Sequence, residues 1–168
     1  MTFELKILSA EALPRALEKA ERYRLLNEPG EAESICLDVL AVDEDNQDAL
    51  VTLLLALTDQ FDHDVRSTVS EAHRVIERIR DPYARAYYTG IVYERRAKAQ
   101  LRHNTPGAGT RAYGSLREAM GWFEQAEALR PAGNDDAVLR WNACARLLMG
   151  DHHLAPPIDE HTEPLLLE

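Results

Sequence analysis

The side chains that could hold a metal ion are few and lie near the end of the sequence. Histidines and acids stand together there, a combination that can bind transition metals: Asp151, His152, His153, Asp159, Glu160 and His161. Because Pro156-Pro157 separates them on a segment without fixed geometry, we expect adventitious metal affinity and no functional metal site. Gly107-Ala108-Gly109 lacks the lysine and the preceding strand of a phosphate-binding loop.

Residues for nucleophilic or acid–base catalysis do not form a recognisable set. No Ser-His-Asp or Cys-His group can be assembled without arbitrary choice, and no carboxylate pair stands out among the 29 acidic residues. We therefore expect no enzyme activity and no cofactor. Cys36 and Cys144 each lie inside an apolar helical pattern, which predicts two reduced, buried thiols and no disulfide.

Composition and charge indicate an ordinary soluble domain. Of 168 residues, 45% are hydrophobic and 29% charged, and the formal charge is 19 − 29 = −10. An acidic surface repels nucleic-acid phosphates and anionic membranes. We therefore expect neither nucleic acid nor a membrane as a partner. The start of the chain lacks the pattern of a signal peptide, and the apolar run at residues 53–57 is too short to cross a bilayer. These features predict a cytoplasmic protein.

The elements that would position any site are helices. Apolar residues recur at intervals of three and four along most of the chain, which predicts seven helices and no strand. Proline, glycine and polar clusters predict breaks at residues 27–30, 43–46, 80–82, 104–110 and 131–134. Gly30 is expected to supply a positive φ in the first break. Residues 151–168 are expected to form a flexible acidic tail.

A repeated pattern occurs in the helices. Ala32 and Ala119 begin two similar segments, and the second continues with Phe123, Ala126 and Pro131 at spacings of four, three and five residues. This segment resembles the second helix of the tetratricopeptide repeat, a helix-turn-helix unit of about 34 residues. Equivalent first-helix positions are Tyr23, Leu57 and Tyr93, which follow one another at 34 and 36 residues.

The resemblance implies an all-α fold in which antiparallel helical hairpins stack as a short right-handed solenoid. It divides residues 1–150 into units at about 13–46, 47–82 and 83–133 and a capping helix at 134–150. Small residues such as Gly90 would let the two helices of a hairpin approach closely. The third unit is longer than the family's repeat, and we expect an extended first helix followed by a long loop at 102–114.

In this family the first helix of each unit lines a concave face where ligands bind. The register predicts that this face presents Arg24, Val51, Thr52, Leu55, Tyr87, Tyr88, Ile91, Glu94, Arg95, Asn142 and Arg146. Such a mixture suits an extended peptide or a helix, so we expect a protein-interaction scaffold, an adaptor in a bacterial cell. For Leu55, Tyr88 and Ile91, interhelical packing is an equal interpretation. Val138 replaces a lysine of the family's carboxylate clamp, so that clamp is not expected.

Two alternatives stay open from the sequence. An enzyme or small-ligand protein would have its site between the 102–114 loop and the concave face. Its members would be Tyr87, Tyr88, Arg95, His103 and Arg111. A closed pocket with convergent polar groups would favour this interpretation, and an open groove would favour the scaffold. A homodimer is also open, because residues 53–55 are unusually apolar, and the tail with its leucines at 165–167 could dock on the same molecule or a second copy.

Overall fold

Regular structure in the described part of the chain is entirely helical. The computed structural model describes residues 2–61 and 65–157. Within these residues a short 3-10 turn precedes seven α-helices, so the predicted all-α class and number of helices are confirmed there. The α-helices are α1 Leu13–Leu25, α2 Pro29–Val42, α3 Gln47–Asp59, α4 Val65–Glu77, α5 Pro82–His103, α6 Ala108–Leu129 and α7 Asp136–Gly150.

The turn between α1 and α2 differs from its prediction in one residue. Asn27 has the positive φ, at 60°, whereas Gly30 lies inside α2. Pro29 is the first residue of α2, where its missing N–H and fixed φ suit the start of a helix. Asparagine tolerates the left-handed conformation better than most residues, so the turn does not need the glycine.

The prediction of a long loop at 102–114 is wrong. Helix α5 extends to His103 and α6 begins at Ala108, so the connection is four residues long, at 104–107. Asn104 and Gly107 adopt positive φ values of 43° and 75°, which reverse the chain within this short turn. Gly109 and Gly114 lie inside α6, and α5 and α6 form a hairpin of two 22-residue helices.

Two of the helices begin with a side-chain cap. The Asn46 side chain accepts a hydrogen bond from the Ala49 backbone N–H at 2.9 Å at the start of α3. Asp81 accepts one from the Ala84 N–H at 2.8 Å at the start of α5. Each cap satisfies a backbone donor that the first turn leaves without an intrahelical partner. These two helices are also the central ones of the site described below.

Packing follows the order of the chain. Each helix contacts the next one, and in addition α1 contacts α3 and α3 contacts α5. Helices α1, α3 and α5 therefore lie beside one another. This arrangement brings the residues near the ends of α1, α3 and α5 to one side of the molecule.

The buried residues form two cores. The first core consists of residues from α1 to α4 together with Val92 and Ala99 of α5. The second core consists of residues from α5 to α7 together with Leu154. Leu53 and Leu54 are buried in the first core and Leu55 is half-buried, so the apolar run at 53–55 is interior and gives no reason to expect a homodimer.

Gly90 allows the close approach predicted for the third hairpin. A Cβ atom at this position would lie 2.5–2.9 Å from three ring carbons of Phe123, closer than real contacts permit. The Phe123 ring therefore occupies the space over Gly90 within the same hairpin. Tyr87 also contacts this ring, with centroids 5.9 Å apart.

The described part of the C-terminal tail, residues 151–157, packs against the helices, whereas the sequence predicted a flexible tail. Leu154 is buried in the second core. The backbone at His153 lies directly against α6, where a Cβ at Gly109 would overlap the His153 carbonyl oxygen. Residues 158–168, including Asp159, Glu160 and His161, lie outside the described residues.

Candidate functional site

Four helices meet around an open cleft of about 500 Å³. Helices α1, α3, α5 and α7 each contribute residues to it, so it lies across the seam between the two cores. Its described lining consists of Arg24, Leu25, Asn27, Thr58, Asp59, Glu94, Arg95, Lys98, Arg102 and Arg140. Seven of these ten residues carry a formal charge, which makes the cleft polar and accessible.

Asp59 binds two arginines from neighbouring helices. Arg24 of α1 donates from Nε to Asp59 Oδ2 at 2.9 Å, and Arg95 of α5 pairs with Asp59 Oδ1. Arg95 also donates to the Thr58 hydroxyl at 2.9 Å. The Asp59 carboxylate thus connects α1, α3 and α5 through charge-assisted hydrogen bonds, which hold the three side chains in place.

These contacts recur at the spacing of the repeat. Arg24 and Asp59 are 35 residues apart, and Asp59 and Arg95 are 36 residues apart. The two residues that follow Tyr23, Leu57 and Tyr93 are Arg24-Leu25, Thr58-Asp59 and Glu94-Arg95. All three of these residue pairs line the same cleft.

Glu94 is the most buried charged residue of the cleft. Its side chain is 2% exposed, and its Oε1 accepts from Lys98 Nζ at 2.5 Å and from Arg140 at 3.4 Å. Its Oε2 is buried without a hydrogen-bond partner among the described atoms. Glu94 therefore links α5 to α7 and carries its charge at the base of the cleft rather than at its surface.

Arg140 remains firmly protonated despite partial burial. Burial alone would lower the pKa of its guanidinium, but the Tyr87 hydroxyl and the Glu94 carboxylate beside it raise that pKa above its ordinary value. Arg140 is thus a permanent cation in the cleft wall, and it connects the charged residues of α5 to the aromatic residues of the second core.

The structure brings together some of the predicted binding residues. Arg24, Glu94 and Arg95 line the cleft. Val51 lies on a different, shallow groove beside α1, together with Leu17. Asn142 lies in another shallow groove next to Trp141 and Glu124, and Arg146 is exposed on α7.

The remaining predicted residues belong to the cores. Thr52 is 5% exposed, so its assignment to a binding face is wrong. Ile91 is buried and Leu55 is half-buried in the second core. Tyr88 packs against both cores, and burial raises the pKa of its phenol.

Tyr87 belongs to the same aromatic group and is also half-buried. Its ring stacks on Tyr83 with centroids 5.8 Å apart and meets the edge of Tyr88 at 5.2 Å. These rings fill interhelical space, which restricts how much of them a ligand could reach.

The residues of the alternative small-ligand site do not assemble as expected. Arg111 donates to the Pro106 carbonyl at 2.8 Å and to the Thr105 hydroxyl at 2.6 Å, so it stabilises the turn at 104–107. His103 is the exposed last residue of α5. Because the connection at 104–107 is short, it does not cover Arg95.

Several cleft residues were missed from the sequence, and part of the signal was present. Arg95, Lys98 and Arg102 follow at spacings of three and four, which places them on one face of α5. Asp59 follows Leu57 at the same interval at which Arg95 follows Tyr93, so the same register would have identified it. The contribution of Leu25 and Asn27 depends on the exact end of α1, which the sequence pattern does not fix.

Other kinds of site were sought in the described residues. Within 2–61 and 65–157, no group of three or more histidine, cysteine, aspartate or glutamate side chains is arranged to hold a metal ion. Among the same residues, no helix has both the length and the apolar character needed to cross a bilayer. Comparisons with protein-family models, curated proteins and solved structures found no significant match to this chain.

Proposed function

We propose that this chain is a tetratricopeptide-like stack of helical hairpins and that it serves as an interaction scaffold. The partner would be another protein, bound through a peptide segment in the cleft between α1, α3, α5 and α7. The unit boundaries proposed are 13–46, 47–82 and 83–133, with the cap at 134–150. Helices α1 and α2 lie in the first of these units and α3 and α4 in the second, and the third holds α6 and all of α5 except its first residue, Pro82.

One observation carries the proposal. Equivalent positions of three successive units, together with Arg140 of the cap, converge on a single open cleft of about 500 Å³. A peptide lying in such a cleft would cross several helices and contact each unit at the same register. Exposed Leu25 and the charged side chains of α5 offer apolar and polar contacts side by side, the mixture found where proteins bind peptides.

The charged groups of the cleft favour binding over catalysis. Asp59 pairs with two cations through both of its carboxylate oxygens, which occupies the atoms that a general base would need, and Glu94 pairs with two cations through Oε1. Glu94 is also too buried to contact a substrate directly. No observation in the described residues specifically favours an enzyme, so the scaffold is the function that the geometry supports best.

A photo-crosslinking experiment tests the proposal. A photoreactive phenylalanine analogue placed at Leu25, which is 88% exposed at the cleft, is illuminated in native lysate and the adducts are identified. The control carries the same analogue at Leu37, which is 48% exposed on α2. We expect a protein adduct from position 25 that is absent from position 37 and is lost in Arg102→Glu.

Two results would contradict the scaffold. Adducts obtained equally from positions 25 and 37 would place the interaction outside the cleft. Adducts limited to small molecules at position 25, found by intact-mass measurement of the recovered chain, would favour the small-ligand alternative. Retained helicity by circular dichroism in both labelled chains is the control for folding.

A further inference from the structure

The charge of the cleft is opposite to that of the protein. Among the described residues, five cationic side chains and two carboxylates line it, a formal charge of 5 − 2 = +3, whereas the whole chain carries −10. The cations are Arg24, Arg95, Lys98, Arg102 and Arg140. A positive concavity on an acidic molecule concentrates the electrostatic potential that an anion would experience.

The two carboxylates cannot neutralise these cations. Asp59 is shared by Arg24 and Arg95, and Glu94 is shared by Lys98 and Arg140. Each acid therefore compensates one of its two partners, so these four cations alone leave an excess of positive charge in the cleft. Like charges held this close repel one another, and an anion placed among them relieves that repulsion.

The cations are arranged along a line that suits a chain better than a compact ion. Arg95, Lys98 and Arg102 follow one another on one face of α5, and seven residues of helix cover about 10 Å. Alternate side chains of an extended peptide are about 7 Å apart on one face, so two acidic residues fit within the length of this row. Leu25 at the rim adds an apolar contact that an inorganic anion could not use.

We propose that the segment bound in this cleft is an acidic peptide of a partner protein, with aspartate or glutamate side chains facing the cationic row of α5. The proposal rests on the proposed function and specifies its partner. The arginines that already pair with Asp59 are pre-positioned by it, so they can donate further hydrogen bonds to an incoming carboxylate at little entropic cost.

The test measures binding of defined peptides to the full chain. Fluorescein-labelled octaglutamate and octalysine are titrated separately by fluorescence anisotropy, at low salt and at physiological ionic strength. We expect octaglutamate to bind and octalysine not to bind, and the affinity for octaglutamate to fall as salt rises. Arg102→Glu should weaken octaglutamate binding by roughly tenfold or more, because it replaces an attractive contact with a repulsive one.

A matched variant separates the cleft from net charge. Arg117 is exposed on α6, and Arg117→Glu changes the formal charge of the chain by the same amount as Arg102→Glu. We expect Arg117→Glu to bind octaglutamate like wild type. Arg95→Gln provides a second cleft variant, and it should weaken binding severalfold while circular dichroism shows an unchanged helix content.

Several outcomes would overturn the proposal. One is that octalysine binds as tightly as octaglutamate. Another is that Arg102→Glu and Arg117→Glu lose the same amount of affinity for octaglutamate. A third is that citrate binds and octaglutamate cannot displace it. A fourth variant replaces Asp159, Glu160 and Glu163 by their amides. If octaglutamate binds only to this variant, the occupant is the chain's own acidic tail and not a partner.

The two experiments distinguish an error in the acidic partner from an error in the interaction scaffold. If position 25 crosslinks to a protein but octaglutamate neither binds nor competes, the scaffold stands and the acidic partner is wrong. If octaglutamate binds in the cleft but no protein adduct forms at position 25, the cleft recognises anions and the scaffold is wrong.

Discussion

The two cores of the molecule are built differently although both consist of helices. The first core joins helices of 13 or 14 residues, α1 to α4, and leucines such as Leu50, Leu54 and Leu57 are its most frequent large side chains. The second core joins the 22-residue helices α5 and α6 to α7, and its largest fully buried side chain is Phe123. The two cores therefore differ in the length of their helices and in the kind of large side chain that fills them.

Helix α5 belongs to both cores, and this shared membership defines the site. Val92 and Ala99 face the first core, while Ala86, Ile91 and Ala97 face the second. The cleft begins where these faces leave a charged side of α5 open. A change confined to one core should therefore leave the other largely intact, while changes in α5 should affect the cleft directly.

Each core contains one cysteine, which allows the two to be compared in solution. Burial raises the pKa of both thiols, Cys36 in the first core and Cys144 in the second, from 9.0 to about 12. At pH 8 this alone reduces the thiolate by roughly 1000-fold, so both should react far more slowly with iodoacetamide than in the unfolded chain. Rapid reaction of either thiol in the native protein, followed by mass spectrometry, would show that its core is open.

The same shifts predict loss of stability at alkaline pH. Well below pH 9 both thiols are neutral in the folded and in the unfolded chain, so burying them as neutral groups contributes its full share to the free energy of unfolding. Between pH 9 and about 12 the unfolded chain releases these protons first, and the free energy of unfolding falls as pH rises. Replacing both cysteines by alanine should reduce this slope in denaturant titrations, and an unchanged slope would assign it to other groups.

Truncation of one large side chain in each core should separate the two regions. Phe123→Ala should lower the free energy of unfolding by about 3–5 kcal/mol and Leu54→Ala by about 2–5 kcal/mol, since both side chains are fully buried. Urea titration measures these losses. Phe123→Ala should speed alkylation of Cys144 more than that of Cys36, and Leu54→Ala should do the reverse. Equal acceleration of both thiols by both variants would mean that the cores open as one unit.

A pair of glycine variants tests the close approach in the second core. Gly90→Ala should cost about 1–3 kcal/mol, because the new methyl group would overlap the buried Phe123 ring. Gly121→Ala on α6 meets nothing within 4 Å, and we expect it to stabilise the protein by about 0.5–1 kcal/mol through helix propensity. Thermal unfolding compares the two. A neutral Gly90→Ala would disprove tight packing between α5 and α6 at this point.

The smallest expected effect concerns a helix cap in the first region. Asn46→Ala removes the hydrogen bond to the Ala49 N–H and should cost about 1 kcal/mol. Glu28 occupies the equivalent position before α2 without a side-chain cap bond, so Glu28→Ala should change stability little. Both are measured by urea titration, and equal losses would remove the assigned role of the Asn46 side chain.

The sequence predicted the helices well and the site only in part, for physical reasons. Helical periodicity depends on burial of one face, and that periodicity predicted the helices that the structure describes. The 102–114 prediction was wrong because glycine and proline favour loops locally, whereas contact with α5 along its length stabilises α6 through Gly109 and Gly114. Arg24 and Arg95 were predicted from the register, but their shared partner Asp59 depends on three helices meeting in space.

The cleft as a binding site is tested most directly by nuclear magnetic resonance. In a titration of the ¹⁵N-labelled full chain with octaglutamate, we expect the largest amide shift changes at Asn27, Asp59, Lys98 and Arg102, which come from three different helices or helix ends. Arg102→Glu should abolish these changes and Arg117→Glu should not. Changes concentrated on the exposed faces of α2, α4 and α6, with the cleft amides unmoved, would contradict the proposed site.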